Sequence, residues 1–339
     1  MKTERLKGEG ITAAAGIARA ADLLRSGGTV AFPTETVYGL GANALDAGAV
    51  AKIFAAKERP NWDPLIVHVV DEAMLEQVAV ISAELKEPVK ALTAAFWPGP
   101  LTILLPRTAS VPDAVTAGRP LVGVRMPKHP VAAELIRRAG VPIAAPSANR
   151  FSRPSPTTAS HVLNDLDGRI DAVLDGGHTS VGLESTVFDL GARAIYRPGA
   201  VSAAMISRIL GGEVETVTVH ENKPGSPESL PSPGMGIRHY APSARMILVA
   251  GQRELLDEVG KYAPTEVGVM LPDGWNSGAA GTSFRWGPWE KPEILARLLY
   301  FGFRLLDDRG VKVIVCPVPT AEGPLGDAVR ERLEKAARH

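Results

Sequence analysis

The chain has 339 residues, 45% of them apolar and 22% charged, a composition that excludes wholesale disorder and allows two domains or one large one. Lysine plus arginine and aspartate plus glutamate both number 37, so no whole-protein field draws in nucleic acid and any RNA contact must be local. The single cysteine, Cys316, excludes an internal disulfide, a cysteine zinc site and a redox pair.

Apolar spacing at Ile17, Ala21 and Leu24 predicts a first helix over Thr12 to Arg25, stopped by Gly27-Gly28. A short buried strand follows at Thr29 to Phe32, running into AFPTETVYGLG, residues 31 to 41. Read as extended chain, that stretch points Thr34, Thr36 and Tyr38 one way and Glu35 and Val37 the other, a polar wall. A helix over Ala47 to Lys57 ends before Pro60, and PLIVHVV, from Pro64, reads as a strand. Further strands are expected at LTILLP, LVGVRMP, VPIAAP, IDAVLDGG, STVFDL and AIYRP, and helices at HPVAAELIRRAG, TTASHVLNDL and VSAAMISRIL. Several strands follow one another directly, so the sheet should be mixed.

Between Glu221 and Ser243 the chain turns rich in Pro, Gly and Ser and reads as a linker, 221–243, after a first domain of 1–220. Beyond it, 244–339 resumes an α/β pattern. RMILVAG, EVGVMLP and VKVIVCPVP look like strands of a parallel sheet, with helices near Arg253 to Tyr262, Pro292 to Asp308 and Asp327 to Ala337. No apolar run approaches the roughly 18 residues of a membrane helix, and MKTERLKGEG holds no apolar signal core. A cytoplasmic protein is expected.

Common catalytic spacings are missing: no Walker phosphate loop, no dinucleotide fingerprint after a strand, and no close histidine pair for a metal. What remains is a set of polar clusters at strand ends, where open α/β sheets bind ligands. In KERPNWDP, Lys57, Arg59 and Asp63 could hold a phosphate chain with its magnesium, or form a solvated helix terminus. His68 sits in an apolar strand as a core residue or a site residue. Arg125 leaves a buried strand before Met126-Pro127, placed to fork onto a carboxylate or to form a structural ion pair. PSANRFSRPSPT offers Ser147, Asn149 and Ser155, GLESTVFDL offers Glu184, Ser185 and Thr186, and YRPG offers Arg197. Together they describe a basic, hydroxyl-rich cleft.

In order, AFPTETVYGLG, KERPNWDPLIVHV, FWPGPLT, VGVRMP, PSANRFSRPSPT, DGG, ESTVFDL, YRPG and SPGMGIRHYAP resemble the L-threonylcarbamoyladenylate synthases with a YrdC-like domain. The α/β tail after a proline-rich linker resembles the two-domain form of that family. The resemblance implies a twisted mixed α/β sheet around a concave basic site, followed by a smaller Rossmann-like domain. It implies an enzyme that joins L-threonine, bicarbonate and ATP into threonylcarbamoyl-adenylate and releases pyrophosphate. A separate tRNA threonylcarbamoyl transferase complex would then modify adenosine 37 of ANN-decoding tRNAs, so tRNA is an indirect partner.

Carried onto matching positions, Thr34, Thr36, Tyr38, His68, Arg125 and Ser185 would line the threonine pocket, with Arg125 on the carboxylate and Ala145 lending backbone only. Lys57, Arg59, Asp63, Ser147, Asn149, Ser155 and Arg197 would surround ATP, Tyr240 would reach it from the linker, and magnesium would arrive with the nucleotide. No protein-held metal and no covalent nucleophile are expected; catalysis would be by positioning. Residues 232 to 240 are the candidate lid. The sequence departs from the family at Gly236, where lysine is common, and at Leu121, where threonine is common, so Leu121 would meet ATP through backbone alone. Two rival readings are a non-catalytic RNA binder and an enzyme that draws on a carbamoyl donor in place of bicarbonate.

Overall fold

The computed structural model describes residues 2–217 and 240–338. Most of the expected linker, with Gly236 and the lid candidate up to residue 239, lies outside the described residues. Two compact units emerge. The first holds 2–151, 156–179 and 184–217 of the described chain; the second holds Ser152–Ser155, Ser180–Leu183 and 240–338.

The first unit runs β1 (Glu4–Lys7), α1 (Ala13–Arg25), β2 (Val30–Pro33), β3 (Tyr38–Asn43), α2 (Ala47–Lys57), β4 (Ile66–His68), α3 (Glu72–Val78), α4 (Ala83–Phe96) and β5 (Leu101–Pro106). It continues with α5 (Asp113–Thr116), β6 (Leu121–Arg125), α6 (Pro130–Ala139), β7 (Ile143–Ala144), α7 (Ala159–Leu166), β8 (Ala172–Asp175), β9 (Thr186–Asp189), β10 (Ala194–Arg197), α8 (Ala203–Leu210) and β11 (Glu215–Thr216). Among the described residues these strands form one eleven-stranded sheet in the order β1-β8-β2-β3-β7-β4-β6-β5-β9-β10-β11. Parallel and antiparallel pairs are mixed across it, with three antiparallel pairings in a row from β2 through β3 and β7 to β4.

One face of the central strands packs Val67, Val122, Val124, Ile103 and Phe188 into the main core with the helices. The alternate residues face the other way. Ile66, Leu104 and Val187 form a small separate cluster with Leu121 and Tyr196, and His68 and Arg125 continue that face at the ends of β4 and β6, paired with each other in register.

The second unit contains β12 (Arg245–Val249), α9 (Gln252–Val259), β13 (Val267–Pro272), β14 (Thr282–Gly287), α10 (Pro292–Asp308), β15 (Val313–Pro317) and α11 (Pro324–Ala337). Its four strands lie in the order β12-β15-β13-β14, all parallel, as expected of a Rossmann-like α/β arrangement. Strand β14, Thr282–Gly287, has no counterpart in the sequence reading, although half-buried and exposed positions alternate along it until Trp286 as in a strand with one face covered. Among the described residues no helix is long and apolar enough to cross a membrane.

Candidate active site

The first departure from expectation is at Thr34 to Val37. These residues are not extended; they turn the antiparallel hairpin between β2 and β3. The Thr34 hydroxyl drives the turn: its Oγ1 accepts from the backbone N–H of Thr36 (3.2 Å) and Val37 (3.3 Å) and donates to the Val37 carbonyl (2.7 Å). The two-way alternation therefore fails. Glu35 joins Thr34 and Thr36, while the Tyr38 hydroxyl goes elsewhere, donating to Gly177 O (2.7 Å) and accepting from Gly176 N (3.2 Å) beyond β8.

Arg125 is the meeting point. Its Nη1 donates to Thr36 Oγ1 (2.9 Å) and its Nη2 to Glu35 Oε2 (2.7 Å), and Lys128 N donates to the same carboxylate oxygen (3.1 Å). Thr36 and Thr34 hydroxyls stand 2.8 Å apart; since the Thr34 proton goes to Val37, Thr36 donates to Thr34. Protons thus run in one direction from the guanidinium into the turn. Thr34, Glu35, Thr36 and Arg125 are each 5% exposed or less. Arg125 Nε is buried and has no hydrogen-bond partner among the described residues, a charged donor that calls for an acceptor.

Burial pulls Arg125 below the usual arginine range, Glu35 opposes that, and Arg197 adds repulsion. His68 is driven down to about 3, first by burial and then by the Arg125 charge. It is a neutral imidazole at neutral pH, edge-on to Phe32 at 6.2 Å, with Nδ1 unpartnered among the described residues.

Ser185 comes to the same neighbourhood through Arg197. Between Ile195 and Arg197 the β9–β10 pairing slips by one residue, and this bulge buries Arg197 while Tyr196 stays half-buried. Arg197 Nε donates to Ser185 O (3.0 Å) and Nη2 to Ser185 Oγ (3.2 Å). Gly199 of the YRPG stretch passes so close that a Cβ would stand 2.6 Å from Thr186 N and 2.9 Å from Glu184 O; only glycine fits there. The Ser185 hydroxyl also lies 2.8 Å from Thr102 Oγ1.

A second cluster forms around Lys57. Asp46 caps α2 by accepting from Gly48 N and Ala49 N, and the helix closes at Glu58 in the left-handed region (φ 55°). Lys57, its last residue, turns inward, 1% exposed, and donates through Nζ to Ser147 O (2.6 Å) and to Asn149 O. Its own carbonyl accepts from Phe151 N (2.9 Å). Arg59 donates to Asp63 O (3.1 Å) and Pro64 O (2.8 Å), pairs with Asp63 Oδ2 at 2.9 Å, and lies 6.0 Å from the Phe151 ring. The solvated-terminus reading of these charges is excluded by their burial.

The expected groups therefore assemble as two clusters in the first unit. Ala145, also buried, gives its N–H to Ile66 O (2.9 Å), and Leu121 begins β6 in the apolar strip described above. Ser155 and Tyr240 belong to the second unit. Sequence reasoning missed Glu35 and Thr102. Glu35 was aimed the wrong way, and Thr102 carried one available signal, a lone hydroxyl in the apolar strand LTILLP.

Residues 22–199 match a family model described as "Telomere recombination" (Sua5, YciO and YrdC), and residues 201–338 match "Threonylcarbamoyl-AMP synthase, C-terminal domain". The chain belongs to the threonylcarbamoyl-AMP synthase family of Sua5 type. It is 42% identical to the threonylcarbamoyl-AMP synthase of Pyrococcus abyssi, over 94% of this chain and 93% of that one. The Bacillus subtilis threonylcarbamoyl-AMP synthase is 41% identical over 95% of this chain and 92% of its own. The crystal structure of P. abyssi Sua5 complexed with L-threonine superimposes with a TM-score of 0.88 at 39% identity, covering 99% of this chain and 98% of that one. The two-domain Sua5 architecture is thus shared over essentially the whole length.

Proposed function

We propose that this chain, a threonylcarbamoyl-AMP synthase, condenses L-threonine, bicarbonate and ATP into threonylcarbamoyl-adenylate, and that Arg125 is the anchor for the amino acid. The observation that carries the assignment is the buried Arg125 guanidinium, held by Glu35 and Thr36 with its Nε edge unpartnered among the described residues. A carboxylate at that nitrogen gains a charge-assisted hydrogen bond. Arg197, near enough to perturb Arg125, adds a second positive charge on the side where Ser185 and Thr102 lie.

The threonine amine attacks the bicarbonate carbon, water leaves, and the carbamate oxygen attacks the α-phosphorus of ATP as pyrophosphate departs. The chain needs no covalent nucleophile for this; alignment of the reactants is worth up to roughly 7–11 kcal/mol. A neutral His68 neither competes with Arg125 for the carboxylate nor protonates the amine. Lys57 and Arg59 hold Ser147, Asn149 and Asp63 in place on the side assigned to ATP. Magnesium comes with the nucleotide phosphates; no three His, Cys, Asp or Glu side chains are grouped for a metal among the described residues. The product passes to a transferase that modifies adenosine 37 of ANN-decoding tRNAs, in the cytoplasm.

Relatives that span nearly the whole chain and are named synthases do not favour a passive RNA binder or an enzyme using a preformed carbamoyl donor. Pyrophosphate release tests the reading: it should require threonine, bicarbonate and ATP together, and release without threonine would refute it.

A further inference from the structure

Helix α10 carries Arg297, Tyr300, Arg304 and Asp307 at intervals of three, four and three residues, a single stripe on a helix of 3.6 residues per turn. Each position engages a segment distant in sequence. Gly182, at φ +80°, packs so tightly on the helix that a Cβ would stand 2.5 Å from Arg297 Cα and 2.7 Å from Ala296 O. Tyr300 stacks on Tyr240 at 5.7 Å and 29°, with the Arg332 guanidinium 4.9 Å from the Tyr240 ring centre. Arg304, 4% exposed, donates through Nη2 to Pro154 O. Asp307 accepts from Ser243 N (2.7 Å) and Ala244 N (3.0 Å) and lies 3.8 Å from Arg153, while Ala241 N donates to Ser152 O (2.9 Å).

The two loops gripped here, Ser152–Ser155 and Ser180–Leu183, are pieces of the catalytic half of the sequence that fold with the second unit. Their covalent neighbours matter. The first loop ends in Ser155 and begins three residues after Asn149; the second leads directly into Glu184 and Ser185. A tail that served only as a tether would need neither a buried arginine on a proline carbonyl nor a glycine pressed against a helix backbone.

We propose that α10 is a positioning element of the synthase: through Arg304 it sets the loop that follows the ATP-side group Asn149, and through its backbone at Arg297 it sets the loop that leads into the threonine-side group Ser185. None of the stripe residues is catalytic; they act through the chain that joins their loops to Asn149 on one side and Ser185 on the other. The proposal rests on the site assignment given under the proposed function.

Full-length variants separate these roles. Arg304→Met keeps the stem and removes the donor; the KM for ATP should rise about tenfold, the scale of one charge-assisted hydrogen bond, with the KM for threonine changed less than about twofold. Arg304→Lys should recover part of the loss. Gly182→Ala should reverse the split, raising the KM for threonine and sparing that for ATP. Lower melting temperatures with both KM values at the wild-type level, or an equal rise in both, would overturn the proposal. If Arg304→Met does not accumulate folded, Arg304→Lys decides alone: a smaller rise in the KM for ATP supports positioning, and a wild-type value overturns it. Asn149→Ala and Ser185→Ala separate positioning by α10 from the site assignment itself. If they move the KM values while the α10 variants do not, positioning is wrong; if they leave them unmoved, the site assignment is wrong and the proposal falls with it.

Discussion

Glu35 and Arg125 meet at 2.7 Å, 90 positions apart in sequence, with 6% and 4% of their side chains exposed. A carboxylate aimed at the guanidinium that is to receive a substrate carboxylate is a competitor unless it takes a different edge. It does: Glu35 and Thr36 occupy the two terminal nitrogens and leave Nε.

Glu35 is therefore predicted to hold Arg125 in orientation. Glu35→Gln keeps an acceptor but loses the charge, so the protein should fold while the KM for threonine rises roughly ten- to a hundredfold, the equivalent of about 1.5–3 kcal/mol. The KM for ATP should stay near wild type. Steady-state kinetics with each substrate varied in turn checks this, and an unchanged threonine KM would show that Glu35 is a spectator.

Thr102 and Ser185 give a milder case. Thr102→Val preserves shape and removes one hydroxyl, leaving Ser185 with Arg197 alone. Stability should fall by about 0.5–1.5 kcal/mol, and the KM for threonine should rise a few-fold. Denaturant melts and threonine titrations on the same sample measure both.

Lys57 is expected to be as important to the fold as to the nucleotide. Lys57→Met strips the donor from the carbonyls of Ser147 and Asn149, at a cost of about 1–3 kcal/mol for each carbonyl left buried without a partner. Chemical denaturation should show that loss, together with weaker binding of a non-hydrolysable ATP analogue by calorimetry.

His68 sets a pH dependence. Its folded value of about 3 lies below the ordinary 6.5, so below pH 6.5 the unfolded chain takes up a proton that the native chain refuses. Stability is complete above pH 6.5 and falls as pH drops toward about 3, by about 1.4 kcal/mol per pH unit for this one group. His68→Gln should flatten the acid limb of a plot of melting temperature against pH. Parallel acid limbs in the two proteins would contradict the assignment.

How much of this was legible in the sequence depended on range. Apolar runs closed by proline, such as LVGVRMP and LTILLP, located β6 and β5 and placed Arg125 at a strand end, because burial and proline punctuation are local signals. Glu35 was lost to a local misreading: the Thr34 hydroxyl folds the chain into a turn, and alternation applies only to extended backbone. Strand β1, Glu4–Lys7, escaped because an edge strand of charged residues lacks an apolar run. The α10 stripe was out of reach for another reason. Its helix was plain from Pro292 to Asp308, but its partners at Pro154 and Gly182 lie 150 and 115 positions away from Arg304 and Arg297, and nothing in the loops themselves announces a helix from the tail.

The most direct measurement supplies the purified chain with ATP, L-threonine and carbon-13 bicarbonate and reads the adenylate by mass spectrometry, alongside Arg125→Ala. The wild type should form threonylcarbamoyl-adenylate one mass unit heavier than the unlabelled compound, and the variant should form little or none at the same threonine concentration. An unlabelled product, or equal yield from the two proteins, would contradict an enzyme that captures threonine at Arg125 and carboxylates it with bicarbonate.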